Sequence, residues 1–427
     1  MSTFSRTGEF RPRPAIHARS AATLSRTVGR GLRRNVTGAL RIAMLGTRGV
    51  PARYGGFETA VEEIGTRLAA RGHAVRVYTR RGNTEASLSQ YRGMEVVTLP
   101  ALRRRSVETL SHTGLSVAHL MLRRTDAAFV FNAANSPFLP LLRSARIPVA
   151  THVDGLEWRR AKWGGTGRRY YRAAETTAVR WSDAIIADAA GIRDYYTHTY
   201  GIPSSLIAYG APAPTVAASG GAGALAELGL EPGGYHLVVA RFEPENHVDM
   251  IVGGYAASRS TRPLVVVGSA PYAAEYTDRI RAAAERDSRI RLLGGVWDQA
   301  VLDELYASSF TYLHGHSVGG TNPSLLRAIG AGAPVVAYDV VFNREVLRDA
   351  GEYFRTSGEL TGLLEKAEAD PQLTRERGVA ATRRAADYDW DDVADAYGRL
   401  AADLAARRTP GPFRRARRAS EPWKELA

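Results

Sequence analysis

The sequence predicts an α/β protein with two parallel-sheet domains facing each other across a cleft. Three observations carry this. Short apolar runs alternate with helical stretches from residue 41 onward. The alternation breaks once, at residues 211–234, in APAPTVAASGGAGALAELGLEPGG, rich in Ala, Pro, Gly and Ser. It then resumes in the same form. Strands alternating with helices build parallel sheets covered on both faces. Open sheets of this kind bind ligands beyond the carboxyl ends of their strands.

The elements follow in order. RIAMLG (41–46) reads as a buried strand. FETAVEEIGTRLAARG places Phe57, Val61, Ile64 and Leu68 on one helical face, with Gly72 as its stop. Strands are expected at AVRVYT (74–79), EVVTLP (95–100), AAFVFN (127–132), IPVATHV (147–153), DAIIADA (183–189) and SLIAYG (205–210). Beyond the hinge they are expected at HLVVAR (236–241), PLVVVG (263–268), RIRLLGG (289–295), FTYLHG (310–315) and APVVAY (333–338). A helix over 245–258 carries Val248, Ile251, Val252 and Tyr255 at helical spacing. DWDDVADAYGRLAADLAARR (389–408) reads as one long helix, apolar along Trp390, Val393, Tyr397, Leu400 and Leu404. Its acids sit at the start and Arg407 and Arg408 at the end, as the helix dipole prefers.

With 427 residues, 44% of them hydrophobic, the chain can bury full-sized cores. No run approaches the ~18 apolar residues of a membrane span. The absence of cysteine excludes disulfides, thiolate metal sites and cysteine nucleophiles. The net charge of +14 lies mostly at the ends: eight Arg and one Glu in 1–40, six Arg, one Lys and two Glu in 407–427, leaving +2 for 41–406. Such ends are solvated tails or attract a polyanion, be it an anionic membrane or nucleic acid. The expected division is a basic arm (1–38), a first domain (39–212), a linker (213–234), a second domain with its closing helix (235–406) and a basic tail (407–427).

Four turns at strand ends are candidates for chemistry. GTRGVPARYGGFET (46–59) opens a helix with Gly55 and Gly56 and carries Arg48 and Arg53. It is a plain βα loop or a seat for phosphate or an acidic ligand. Its glycine spacing is not the dinucleotide fingerprint. THVDGLEWRRAKW (151–163) delivers His152, Asp154 and Glu157 to a strand end, with Arg159, Arg160, Lys162 and Trp163 behind them. In ARFEPENHVDM (240–250), Arg241 can fork onto phosphate oxygens or pair with Glu243 or Glu245. In HGHSVGGTNPSLL (314–326), Gly319-Gly320 turn the chain, Asn322 can cap and Pro323 suits a first helical position. His314 and His316 could begin a metal site, but no matching partner is evident.

With these pieces in view, the chain resembles retaining family 4 glycosyltransferases of the GT-B, two-Rossmann kind. It is most similar to a bacterial subgroup with a domain-of-unknown-function N-terminal half, which includes rhamnosyltransferases of capsule and exopolysaccharide assembly. The motifs above and YDVVFNREVL (338–347) carry the resemblance, which runs from about Arg41 to Ala406. It implies a C-terminal helix that crosses back to the first domain. It also implies a nucleotide-sugar donor held mainly by the second domain, a saccharide or polyprenyl-diphosphate-linked acceptor held mainly by the first, and no metal or other cofactor. Arg241, Asn246, Gly319, Gly320, Thr321 and Asn322 would then hold the donor, with Gly55 and Gly56 closing from the other side. His152, Asp154 and Glu157 would face the reacting centre, and Arg48, Arg159, Lys162 and Trp163 the acceptor. Asn246 stands where many relatives have Lys. Arg327, also a donor-site position, stands where relatives have a Glu that accepts from the ribose; Arg has only donors. That departure leaves a second reading, a non-catalytic nucleotide-sugar-binding or interaction protein of the same fold. The resemblance implies a protein of the cytoplasm or, through its basic ends, of the inner membrane face, with no nucleic acid as partner.

Overall fold

A computed structural model describes residues 38–52, 55–83, 88–102, 107–153, 155–160, 163–212, 221–269 and 274–411. The basic arm to residue 37, the tail from 412, Arg53, Asp154 and Lys162 lie outside the described residues.

The first lobe runs β1 (Arg41–Leu45), α1 (Gly56–Ala70), β2 (Ala74–Arg80), β3 (Gln90–Tyr91), β4 (Met94–Leu99), α2 (Glu108–Leu122), β5 (Ala127–Phe131) and α3 (Leu139–Ser144). It continues with β6 (Val149–His152), α4 (Gly165–Trp181), β7 (Ala184–Ala187), α5 (Ala190–Tyr200) and β8 (Ser205–Leu206). The strand order is β3-β4-β2-β1-β5-β6-β7-β8, parallel except for the β3–β4 pair. The apolar strands β1, β5, β6 and β7 are buried, as a sheet covered on both faces requires.

The second lobe runs α6 (Gly221–Glu227), β9 (His236–Val239), α7 (Val248–Ala256), β10 (Leu264–Val267), α8 (Ala274–Ala284), β11 (Ile290–Gly294) and α9 (Gln299–Ala307). Then come β12 (Thr311–His314), α10 (Pro323–Gly330), β13 (Val335–Tyr338), α11 (Val341–Leu347), β14 (Gly351–Phe354), α12 (Ser357–Ala369), α13 (Pro371–Ala385) and α14 (Trp390–Ala405). Its sheet is parallel throughout, in the order β11-β10-β9-β12-β13-β14.

Two details differ from the sequence reading. Part of the expected linker, 221–227, is the helix α6. The helix expected over 245–258 starts only at Val248, because His247 takes a left-handed backbone (φ 45°) after a short 3-10 turn at Pro244–Asn246.

In the first lobe, α1 steps from β1 to β2 while α2, α3 and α4 step the other way along the sheet. Right-handed crossovers therefore place them on opposite faces. The last helix, α14, returns to the first lobe beside α1. Tyr397 packs on Phe129 with ring centroids 4.8 Å apart, and Arg71 pairs with Asp391 at 2.9 Å and Asp395 at 2.8 Å. Trp390 is buried on Gly210, where any Cβ would sit 2.5 Å from the indole. Replacing Trp390 with Ala empties that seat. Denaturant unfolding is expected to show a loss of about 3–5 kcal/mol.

Candidate active site

The lobes meet through residues that carry little or no side chain. Gly155 (φ +51°) lies against Gly319 (φ +144°) of the other lobe, and a Cβ on Gly155 would fall 2.6 Å from the Gly319 Cα. A Cβ on Gly56 would lie 2.8 Å from the Pro323 ring, and one on Gly320 would lie 1.9 Å from the Asp188 carboxylate. The starts of α1 and α10 are thus brought nose to nose. Both ends carry partial positive charge and unpaired N–H groups. Asn322 satisfies one of these by accepting from the Ser324 N–H at 2.9 Å, and α1 has no side-chain cap.

The turn after β12 is stapled to both lobes. The Thr321 hydroxyl donates to the Asp188 carbonyl across the seam at 2.6 Å. Asn343 donates to the carbonyls of His316 and Tyr338. Asn246 donates through Nδ2 to the Arg241 carbonyl at 2.8 Å, so its Oδ1 must accept from His316 Nδ1, also at 2.8 Å. Burial, with Arg160 next, holds the His316 pKa well below its usual value, so the ring is neutral and its Nε2 a bare acceptor turned toward Gly319. Asn246 is consequently a loop brace: both ends of its amide are engaged inside the turn, not offered to the cleft.

His152 is also placed differently from the expectation that it faces the reacting centre. Its ring is fully enclosed by Phe57, Phe131, Tyr209 and Tyr397, with Nδ1 2.7 Å from the Tyr397 hydroxyl. Desolvation pushes its pKa down to about 3. Glu157 is not open to an acceptor either. It is buried against Arg160 at 2.5 Å and accepts from the Trp163 indole at 3.3 Å. Arg160 in turn reaches Glu243 at 3.8 Å and Glu245 at 3.7 Å on the other lobe. Trp163 also packs on Tyr171 (4.8 Å), and Arg159 lies over Trp158 (5.4 Å). Arg48 is held by its backbone, whose N–H donates to Glu58 at 3.1 Å.

Arg241 sits at the seam, 44% exposed and 3.4 Å from Glu243. Of the two sequence readings of it, the pairing with Glu243 is the one the structure contains. Arg327 does not project freely from α10. It lies beside α9, 3.5 Å from Asp303 and 23% exposed. Two residues the sequence reading missed belong to the seam. Asp188 ends the apolar strand β7 in the way His152 ends β6, which was the available signal. Glu345 of α11 accepts from the Ala190 N–H with both oxygens, at 2.9 and 2.8 Å, capping α5 from the opposite lobe. Among the described residues, no three His, Cys, Asp or Glu side chains are grouped to hold a metal ion.

Two family models match the chain: Glycosyltransferase Family 4 over residues 54–209 and Glycosyl transferases group 1 over residues 234–371. Together they take in both lobes. The chain is a GT-B glycosyltransferase. Among solved structures, a sucrose-phosphate synthase from Thermosynechococcus elongatus is 20% identical, covering 86% of this chain and 99% of its own, with a TM-score of 0.73. HepE from Anabaena, in complex with UDP-glucose, is 16% identical over 85% of this chain and 100% of its own (TM-score 0.69). An α,α-trehalose-phosphate synthase (UDP-forming) from Burkholderia vietnamiensis is 12% identical over 85% and 99% (TM-score 0.64). At these identities the likeness speaks for the fold. No curated protein matches the sequence significantly.

The buried histidines of this glycosyltransferase make its stability pH-dependent. His152 and His314 are both held near a pKa of about 3 by desolvation. The unfolded chain takes up these protons near pH 6.5 and the folded one does not, so stability falls as pH drops through 6.5 toward 3. Unfolding midpoints at pH 7.5, 6 and 5 should show a loss of about 2 kcal/mol per histidine by pH 5. A His314→Phe variant should lose one such share of the slope.

Proposed function

We propose that this glycosyltransferase moves a sugar, rhamnose or a related hexose, from a nucleotide sugar to a saccharide or lipid-linked saccharide, with retention, in cell-surface polysaccharide synthesis. One observation carries the reading: the helix starts of α1 and α10 meet head-on through Gly56 and Pro323. Two like poles at that distance call for an anion beside both of them. A diphosphate supplies it, with Arg241 as a third cationic contact and no cation required.

In this reading the second lobe holds the donor and the first holds the acceptor, near Trp163 and Arg159. The acceptor oxygen forms the new bond to the anomeric carbon. The old carbon–oxygen bond breaks with its electron pair going to the diphosphate, and a phosphate oxygen on the same face takes the acceptor proton. Neutral, enclosed His152 stiffens the wall of this site and passes no proton. Asp303, drawn to Arg327, accepts from the ribose hydroxyls in place of the Glu that Arg327 replaces. The enzyme works at the inner membrane face, where lipid-linked acceptors reside. The described residues contain no helix long and apolar enough to cross a membrane.

Calorimetry against a panel of nucleotide sugars, with and without chelator, tests the reading. Binding should be insensitive to chelator, and a requirement for magnesium would overturn it. Arg241→Ala should weaken nucleotide binding about tenfold to over a hundredfold, the value of a charge-assisted hydrogen bond. Asp303→Ala should weaken nucleoside diphosphates by a similar factor while sparing free diphosphate. Equal loss for both ligands would remove Asp303 from the ribose site.

A further inference from the structure

We propose that the outer face of the α2, α3 and α4 layer is a docking surface for an anionic lipid bilayer. This rests on the reading above for its purpose, but it assigns the contact to the folded body of the protein and not to its basic ends. Leu115 and Leu122 of α2 are 45% and 85% exposed, and Leu141 of α3 is 46% exposed. Leu115 and Leu122 are seven apart, so they stand on one stripe of the helix. On α4 the buried positions are Ala174, Glu175, Ala178 and Val179, which turns Arg169 and Arg180 outward, while Arg172 is exposed at the flank over Trp158. Arg123 and Arg124 follow α2 and are exposed.

Acid is nearly absent from this face. Across the three helices the carboxylates are Glu108 and Glu175. Glu175 is buried under Tyr195 and Tyr200, and Glu108 pairs with Arg80 at 3.4 Å in the first turn of α2. The three helices lie side by side on one sheet face, so their outer surfaces are contiguous. Leucines set among arginines on such a surface suit an interface that is anionic at its surface and apolar beneath.

Two further arginines border this layer. Arg41, at the start of the described chain, pairs with Asp126 just beyond α2 at 2.8 Å. Arg407, after the last helix, donates to the Arg146 carbonyl just beyond α3 at 2.6 Å.

Co-sedimentation of the full chain tests the proposal, with vesicles of phosphatidylcholine alone and vesicles in which about a third is phosphatidylglycerol. The protein should bind only the anionic vesicles. Replacing Leu115 and Leu122 together by Asp should lower partition at least tenfold. A separate variant with Arg169 and Arg180 changed to Gln should lower it about fivefold per arginine removed. Both variants retain the basic ends, so undiminished binding would assign the effect to the ends and overturn the proposal. It would also fall if the lipid-free chain self-associates and the Asp variant does not, which would make the face a contact between copies. Nucleotide-sugar binding, measured alongside, should be unchanged in both variants. Its survival after a failed vesicle assay would leave the transfer reading intact.

Discussion

Everything in the site depends on two lobes approaching to van der Waals distance where side chains would keep them apart. Gly155 meets Gly319, Gly56 meets Pro323, and Gly320 lies over Asp188. Removing Cβ atoms at these positions lets backbone face backbone. The gain, in the proposed reading, is electrostatic: helix starts that would repel one another as like poles become a cradle once a negative group sits beside both. The site's charge is then supplied largely by fixed peptide dipoles, which need no rearrangement when charge develops on a leaving group.

Around that contact the protein buries an unusual amount of charge. Arg160 and Glu157 of one lobe meet Glu243 and Glu245 of the other, all nearly out of solvent. Burying ions is costly, and such clusters contribute little net stability. Their value lies in geometry: a guanidinium among three carboxylates is within ion-pair reach of all three at one relative placement of the lobes and loses that reach at others. Phe342 has the same effect through shape, since it extends from α11 of the second lobe into the apolar core of the first.

The strands were legible because buried parallel strands are short apolar runs with turn residues at both ends. β3 and β14 were not: one is only two residues long, and GEYF carries a glycine and a glutamate in four positions. The glycine turns at the seam could be read because glycines, a capping Asn322 and Pro323 have local meanings. What could not be read is whatever depends on the far side of the seam. His152 sits at a strand end like a catalytic group, yet the return of Tyr397 on α14 closes it in. Asn246 looks available until His316 and the Arg241 carbonyl take both ends of its amide. Arg327 looked like an intrusion into a binding site, but Asp303, twenty-four residues earlier on α9, gives it a counter-charge.

The cap on α5 has one more consequence. Ala189 offers that helix no side-chain cap, and its first N–H relies on Glu345 from the other lobe. Were the lobes to swing apart, the carboxylate would leave and the helix would begin with a bare amide. Opening would therefore carry a local fraying penalty at the start of α5, making hinge motion and secondary-structure integrity a single linked equilibrium.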